Sequence, residues 1–333
     1  MNVPAGNPVS VDIVVPVYGG WEYVEKCIRA LLAQTTPARI IVVDDASPDA
    51  TPERIRSAFP DVLLLQNSTN AGFAVTCNRG IRAGEGNIVV LLNSDVIAAP
   101  DLVEQLTRPF RADRDGSLGS VAPLLLARDG KVDAFGICID ATLAGFTRFH
   151  GSSVEDIGDD VPPSAGPYGA LAAYRRSALE SVGLLDENFF MYGEELELSL
   201  RLSAAGWQTQ SIAVPLGTHL GAATIGLRSP RQRYLAGFGR GYTLRRYGIL
   251  QTRFGLRALL TETIVVSLGL VRSADVAALK GRIAGWRRAR GLPKLAYPRF
   301  AEVQTIGFLQ SLRMRSPHYW RQFRSQLPVD RAQ

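Results

Sequence analysis

Cysteine is scarce here: three residues in 333, Cys27, Cys77 and Cys138, each set singly into an apolar pattern. No CxxC spacing occurs, so no disulfide framework is expected and a reducing compartment, the cytoplasm, is favoured. Long apolar runs are missing as well. The best, Ile264 to Val271, is boxed in by Glu262 and Arg272, short of the roughly 18 residues a membrane helix needs. No charged stretch followed by an apolar one opens the chain, so no signal peptide is expected. Neither GxGxxG nor the P-loop GxxxxGK pattern is present, which removes support for dinucleotide and P-loop chemistry. Acids are the last shortage, a local one. Residues 228–333 hold 21 of the 37 Lys and Arg against only Glu262, Asp275, Glu302 and Asp330, a strongly basic tail hidden within a net charge of +6.

What is present, 46% hydrophobic and 20% charged residues, suits a soluble globular protein of one large or two modest domains. Val11 to Val17 reads as a first strand, closed by Tyr18-Gly19-Gly20, and residues 21–34 follow at helical spacing. Ile40 to Val43 is a second strand ending in Asp44-Asp45-Ala46-Ser47. Thr51-Pro52 serves as N-cap and first turn of a helix through Phe59. Val62 to Leu65 is a third strand, and Asn70-Ala71-Gly72-Phe73 leads into a helix carrying Asn78. Ile88 to Leu92, five apolar residues in a row, has the habit of a strand buried on both faces. It stops abruptly at Asn93-Ser94-Asp95.

This alternation predicts an α/β fold with a doubly wound, mostly parallel sheet. Such sheets bind ligands beyond the carboxyl ends of their strands, where the acids of this chain collect. Carboxylates there suit Mg²⁺ or Mn²⁺ holding a diphosphate. A helix over 101–110 follows, then strands at Val121 to Leu126 and Gly136 to Ile139 around the turn Arg128-Asp129-Gly130. Residues 151–167 form a polar loop longer than a simple connection needs. Gly169 to Tyr174 reads as a strand, Ser177 to Glu180 as a capping box. A helix ending at Gly206 carries Glu194 and Glu195 in its first turn, with Glu197 and Arg201 read as an exposed i,i+4 pair.

Taken together, VDIVVPVYGG, IIVVDDASPD, NAGFAVTCNRGI, IVVLLNSDV, GALAAYRRSAL, VGLLDENFFMYGEELELSLRLSAAGW and the later His219 resemble the inverting family-2 glycosyltransferases of the GT-A fold. The rhamnosyltransferase-like branch is the nearest in pattern, and the resemblance covers residues 11 to about 247. It implies a GT-A catalytic domain over residues 1–227 and a basic helical region over 228–333. It also implies a donor site: Pro16, Val17 and Tyr18 line the nucleotide pocket, Asp45 binds the base, Asp44 shapes the same strand end, and Asn70, Gly72 and Ser94 complete the surround. Asp95 is the implied metal ligand, for Mg²⁺ or Mn²⁺, with His219 as a further metal or diphosphate contact. Asn93 stands where the family often has an Asp. Glu195 is the implied catalytic base, one methylene longer than the usual Asp, and Gly169, Tyr192 and Glu194 are the implied acceptor contacts.

The function implied is inverting transfer of rhamnose or a similar hexose from a UDP- or dTDP-sugar. The acceptor is a hydroxyl of a glycan or lipid-linked molecule, in bacterial surface polysaccharide synthesis. A non-catalytic nucleotide-sugar-binding protein and a sugar nucleotidyltransferase are the alternatives. The nucleotidyltransferase reading expects a basic Gly-rich loop, and Tyr18 to Trp21 has no basic residue. In the tail, Ser229-Pro230 opens a helix striped with Tyr234, Phe238 and Tyr242, and residues 255–290 continue as arginine-rich helices. An anionic membrane surface, a solvated basic face and a homo-oligomer contact are its open readings. No nucleic-acid module accompanies it.

Overall fold

A computed structural model of the chain describes residues 9–158, 163–221, 229–273, 276–298, 306–316 and 318–320. The first half alternates as the sequence predicts. Strands β1 (Val11–Val17), β2 (Arg39–Asp44), β3 (Leu63–Gln66) and β4 (Ile88–Leu92) are all parallel, β1 lying between β2 and β4. Helices α1 (Trp21–Leu32), α2 (Thr51–Ala58) and α3 (Phe73–Ala83) make the crossovers.

The strands read as unbroken apolar runs because both faces are covered. Ile13, Val15, Val42, Val90 and Leu92 pack with Val24 and Ile28 of α1. Their neighbours Val14, Ile41, Val43, Val89 and Leu91 point the other way, onto Cys77 and Ile81 of α3 and onto Leu198 and Leu202 further along the chain.

Past β4 the sheet becomes mixed. It continues with β5 (Val96–Ala98), β6 (Leu118–Ala127), β7 (Val132–Ala134), β10 (Leu171–Arg175) and β11 (Gln208–His219), while β8 (Ile137–Ile139) and β9 (Gly145–Thr147) form a separate hairpin. Among the described residues the order is β3-β2-β1-β4-β10-β6-β11-β5, with β7 on β6 and β10 antiparallel to both β4 and β6. Sequence reading finds β6 and β10 with shifted ends and misses β5, β7, β9 and β11.

Two helix starts also differ from expectation. Thr51 lies inside α2, and its N–H is taken by Asp49 Oδ1 at 3.1 Å. Ser177 sits within α5 (Arg176–Val182), whose start has no side-chain cap. Arg176 instead locks α5 to the sheet. It reaches Asp12 of β1 at 2.8 Å and donates to the carbonyls of Gly86 and Ile81.

Helices α4 (Leu102–Ala112) and α6 (Glu194–Ala204) flank the sheet, and α7 (Pro230–Arg246), α8 (Gly255–Ser273), α9 (Ala277–Arg288) and α10 (Phe308–Arg313) follow. Ser229 Oγ accepts from Gln232 N at 3.1 Å, so the predicted cap of α7 is present. Phe238 and Tyr242 stack on each other and meet buried Phe189, so that part of the aromatic stripe is packing. No described helix is long and apolar enough to cross a membrane.

Helices α7 and α9 touch backbone to backbone. A methyl at Gly237 or Gly241 would lie 2.4 or 2.0 Å from the carbonyl of Ala278 or Arg282, and one at Gly281 or Gly285 would lie 2.0 Å from that of Tyr234 or Phe238. Four reciprocal glycines, two on each helix, thus set the crossing. Replacing one by alanine removes a helix-weakening residue, worth about 1 kcal/mol, but forces the backbones apart. Overpacking of that kind costs about 1–3 kcal/mol. Gly285→Ala is therefore expected to lower the melting temperature. Gly269→Ala, in α8 with nothing within 4 Å of the added methyl, is expected to raise it. Thermal unfolding of the two variants side by side checks the opposite signs.

Candidate active site

The carboxyl ends of β1 to β4 gather the predicted donor residues. Asp45 N donates to Val17 O at 2.7 Å, and Asn67 N to Asp44 O at 2.8 Å, which extends the strand pairing to the rim. Asp44 is buried and accepts from the hydroxyl and N–H of Ser47, whose Oγ in turn accepts from Gly19 N. Asp45 is likewise buried, and its two oxygens accept from Asn67 Nδ2 and from the N–H groups of Ala71 and Gly72 at 2.8–2.9 Å. Its carboxylate thus holds the loop between β3 and α3. Gly72 is there for two reasons: its φ is +88°, and a Cβ would stand 2.4 Å from the carbonyl of Phe190. Asn70 and Tyr18 are exposed at the same rim.

Asp95 follows β4 and precedes β5. Because β5 runs antiparallel to the end of β11, with His219 opposite Val96, the histidine is delivered beside the carboxylate. His219 Nε2 lies 3.1 Å from Asp95 Oδ1, and its Nδ1 lies 2.8 Å from Asp133 Oδ2 on β7. Burial alone would lower the His219 pKa. The hydrogen bonds and charges of Asp133 and Asp95 outweigh it and raise the value to about 10. Asp133 was not anticipated. Its signal in the sequence is an acid alternating with Val132 and Ala134 just after the Arg128-Asp129-Gly130 turn.

A divalent cation fits this corner. Asn93 Oδ1 is buried with no hydrogen-bond partner, two residues before Asp95. Among the described residues no three His, Cys, Asp or Glu groups are placed to cage an ion. That agrees with Mg²⁺-type binding, in which one or two protein ligands share the ion with substrate phosphates and water.

Glu195 lies across the strand ends. Residues Tyr192 and Gly193 turn the chain with φ of +71° and +104°, an uncommon conformation for tyrosine, and α6 begins at once. Glu195 lines a cavity of about 630 Å³ together with Tyr168, Tyr192 and Gly193. Gly169 borders it, since a Cβ there would be 3.6 Å from Glu195 Cδ. The next residue, Ala170, accepts from Asn93 N at 3.0 Å, which ties the base to the end of β4.

The two adjacent glutamates are held differently. Burial, and then the charge of Glu195, push Glu194 well above the ordinary carboxylate range, and its Oε2 is buried without a partner. Burial also raises Glu195, while hydrogen bonds, including that from Gly193 N, favour its ionised form. Of the two, Glu194 is the one pushed higher, while the Glu195 carboxylate keeps a hydrogen bond from Gly193 N. Glu194 does not line the cavity, unlike Tyr192.

Glu197 and Arg201 correct an expectation. Glu197 is buried, 1% exposed, against a half-buried Arg201, whose Nε and Nη2 grip both carboxylate oxygens at 2.8–2.9 Å. Arg201 also donates to the carbonyls of Val182, Gly183 and Leu184. An i,i+4 spacing is identical for exposed and buried pairs, so sequence could not tell them apart.

A mostly parallel sheet with acids collected on its strand ends, and a buried glutamate in an adjoining cavity, is the architecture of the GT-A glycosyltransferases. The chain belongs to Glycosyl transferase family 2, whose model matches residues 12–183. It is similar to the N-acetylglucosaminyl-diphospho-decaprenol L-rhamnosyltransferase of Mycobacterium tuberculosis, 30% identical over 62% of this chain and 73% of that protein. In fold it matches the mannosyltransferase PcManGT from Pyrobaculum calidifontis in complex with GDP-Man and Mn²⁺. That likeness has a TM-score of 0.52, 18% identity, and covers 95% of this chain and 83% of that one. It also matches GalNAc-T7 with UDP, GalNAc and Mn²⁺, at a TM-score of 0.58 and 16% identity over 90% of this chain and 57% of that one.

Breaking a buried ion pair by removing one partner typically costs about 3–5 kcal/mol. Glu197→Gln is therefore expected to destabilise the fold by that order, where an exposed pair would cost a few tenths. Denaturant unfolding of Glu197→Gln beside Glu25→Gln, whose partner Arg29 is an exposed neighbour, measures the contrast.

Proposed function

We propose that this protein transfers a hexose, rhamnose or a close relative, from a UDP- or dTDP-sugar to a hydroxyl of a glycan or lipid-linked acceptor, with inversion at the anomeric carbon. The observation that carries the reading is Glu195, a raised but ionisable carboxylate facing a cavity whose rim leads through Ala170 to the donor corner at Asn93 and Asp95. Glu195 accepts the proton of the acceptor hydroxyl as that oxygen attacks, and attack from the face opposite the leaving diphosphate inverts the centre. Asp95 and Asn93 Oδ1 would hold Mg²⁺ or Mn²⁺, with His219 steadied on Asp133 beside them. When bound, the ion supplies positive charge against the leaving diphosphate. The Tyr192-Gly193 turn and the Glu197–Arg201 clamp keep Glu195 oriented.

Surface polysaccharide synthesis at the inner face of the membrane suits this activity. Support for peripheral attachment comes from α8, where Leu256, Leu259, Leu260, Leu268 and Val271 are exposed on a helix of the basic tail.

Transfer and donor hydrolysis measured with a panel of UDP-, dTDP- and GDP-sugars in Mn²⁺ test the proposal. Asp95→Ala is expected to lose activity and metal-dependent nucleotide binding together. Glu195→Gln is expected to lose about 10²–10⁴-fold in rate with little change in donor affinity. An inactive wild type with every donor, or a fully active Glu195→Gln, overturns the reading.

The pH profile carries a separate expectation. Only ionised Glu195 can act as the base, and burial raises its pKa above 4.5. Turnover should therefore fall as pH drops through that raised value, at a higher pH than an ordinary glutamate would give. The profile of kcat/KM measures it, and Glu195→Gln should flatten the acid limb.

A further inference from the structure

Beyond Glu195 the cavity runs away from the sheet to a wall built by the C-terminal helices. Arg240 of α7, Arg282 of α9, Glu262 of α8 and Arg315 all line it. Glu262 is shared: Arg240 Nε reaches one oxygen at 2.6 Å and Arg282 Nε the other at 2.8 Å. Burial would raise the Glu262 pKa, but the two guanidinium groups hold it down to about 2, so it is fully charged. Arg240 is further committed to the carbonyl and hydroxyl of Thr142. Arg315 has no carboxylate at salt-bridge distance among the described residues. It donates to Ser311 O and lies over the Phe146 ring at 5.1 Å. Among the described residues that line this end, three guanidinium groups meet one carboxylate. Phe146, Met314 and Trp320, in the same wall, lower the local polarity and strengthen the imbalance.

We infer that this end of the cavity is an anion subsite that takes a phosphate or diphosphate group of the acceptor while the acceptor hydroxyl sits at Glu195. The inference rests on the transferase reading. The donor diphosphate is not the occupant, because Asp95 and Asn93 do not line this cavity. A volume of about 630 Å³ has room for a sugar phosphate. Arg315, with no carboxylate at salt-bridge distance among the described residues, offers a planar donor fork suited to phosphate oxygens. Burial, together with the charges of Arg240 and Arg282, holds the Arg315 pKa below the ordinary guanidinium value despite Asp140 and Glu262. Two sources share this chemistry, a lipid-linked sugar diphosphate and a water-soluble sugar phosphate.

The test is calorimetric binding of inorganic pyrophosphate and of farnesyl diphosphate to the full chain in EDTA, without donor. Arg315→Gln is expected to weaken both by about 10–100-fold, the range for losing a charge-assisted hydrogen bond. Arg315→Lys should recover part of the loss. Glu262→Gln, which removes the competing carboxylate, should tighten binding, a sign that mere structural damage would not give. Arg288→Gln, on the exposed face of α9, should leave it within about twofold. Tighter binding of farnesyl diphosphate than of pyrophosphate assigns the anion to a lipid carrier, and equal Arg315-dependent binding assigns it to a soluble sugar phosphate. Pyrophosphate affinity indifferent to Arg315→Gln, or lost equally in Arg288→Gln, overturns the subsite and leaves the transferase reading intact. Failure of all donors in the transfer assay overturns that reading while the Arg315 dependence stands as measured.

Discussion

The position of Glu195 depends on Arg201. Its guanidinium closes on both oxygens of Glu197 and also takes three consecutive carbonyls at the end of α5. Helix α5 is in turn bolted to the start of β1 through Arg176 and Asp12. Glu195 is therefore referenced to the sheet by two half-buried arginines in series. A buried ion pair of this kind is a poor source of net stability, because desolvation offsets attraction. Its use here is geometric: α6 can sit at one height and one rotation.

A second chain of contacts joins the strand-end rim at Asp45 to the turn before α6. Asp45 holds the N–H groups of Ala71 and Gly72, and Phe73 N donates to Phe190 O at 2.7 Å. Phe190 lies two residues before the left-handed Tyr192. Asn78 of α3 closes the other flank, exchanging hydrogen bonds with the N–H and carbonyl of Leu185. The rim at Asp45 and the turn that launches α6 are thus joined by a continuous run of hydrogen bonds.

The parallel half of the fold was legible because its strands are buried on both faces, and runs such as Ile88 to Leu92 can hardly be anything else. The mixed half was not. β11 is largely exposed in its first eight residues, contains Pro215 and shifts register against β6 three times, so it lacks both alternation and an apolar run. Three-residue strands such as β5 and β7 carry no periodic signal at all. Missing them hid Asp133 and the reason Asp95 and His219 meet. The family motifs pointed to Asp45, Asp95 and Glu195, but burial decides what each can do, and burial is a tertiary property. For the same reason the tail looked like a free basic surface. Arg240, Arg282 and Arg257 in fact face Glu262 or Asp140 within the protein.

The glycine seam between α7 and α9 also decides where one wall of the cavity stands. Gly239, on the same stretch of α7, lets the carbonyl of Tyr192 approach to where a side chain would collide. The helices are thereby welded both to each other and to the turn before Glu195, yet they lie outside residues 12–183, the segment that defines the family. A side chain added at any of these glycines would shift the wall that faces Glu195 together with the crossing of the helices, whereas changes on the other faces of α7 and α9 leave both in place.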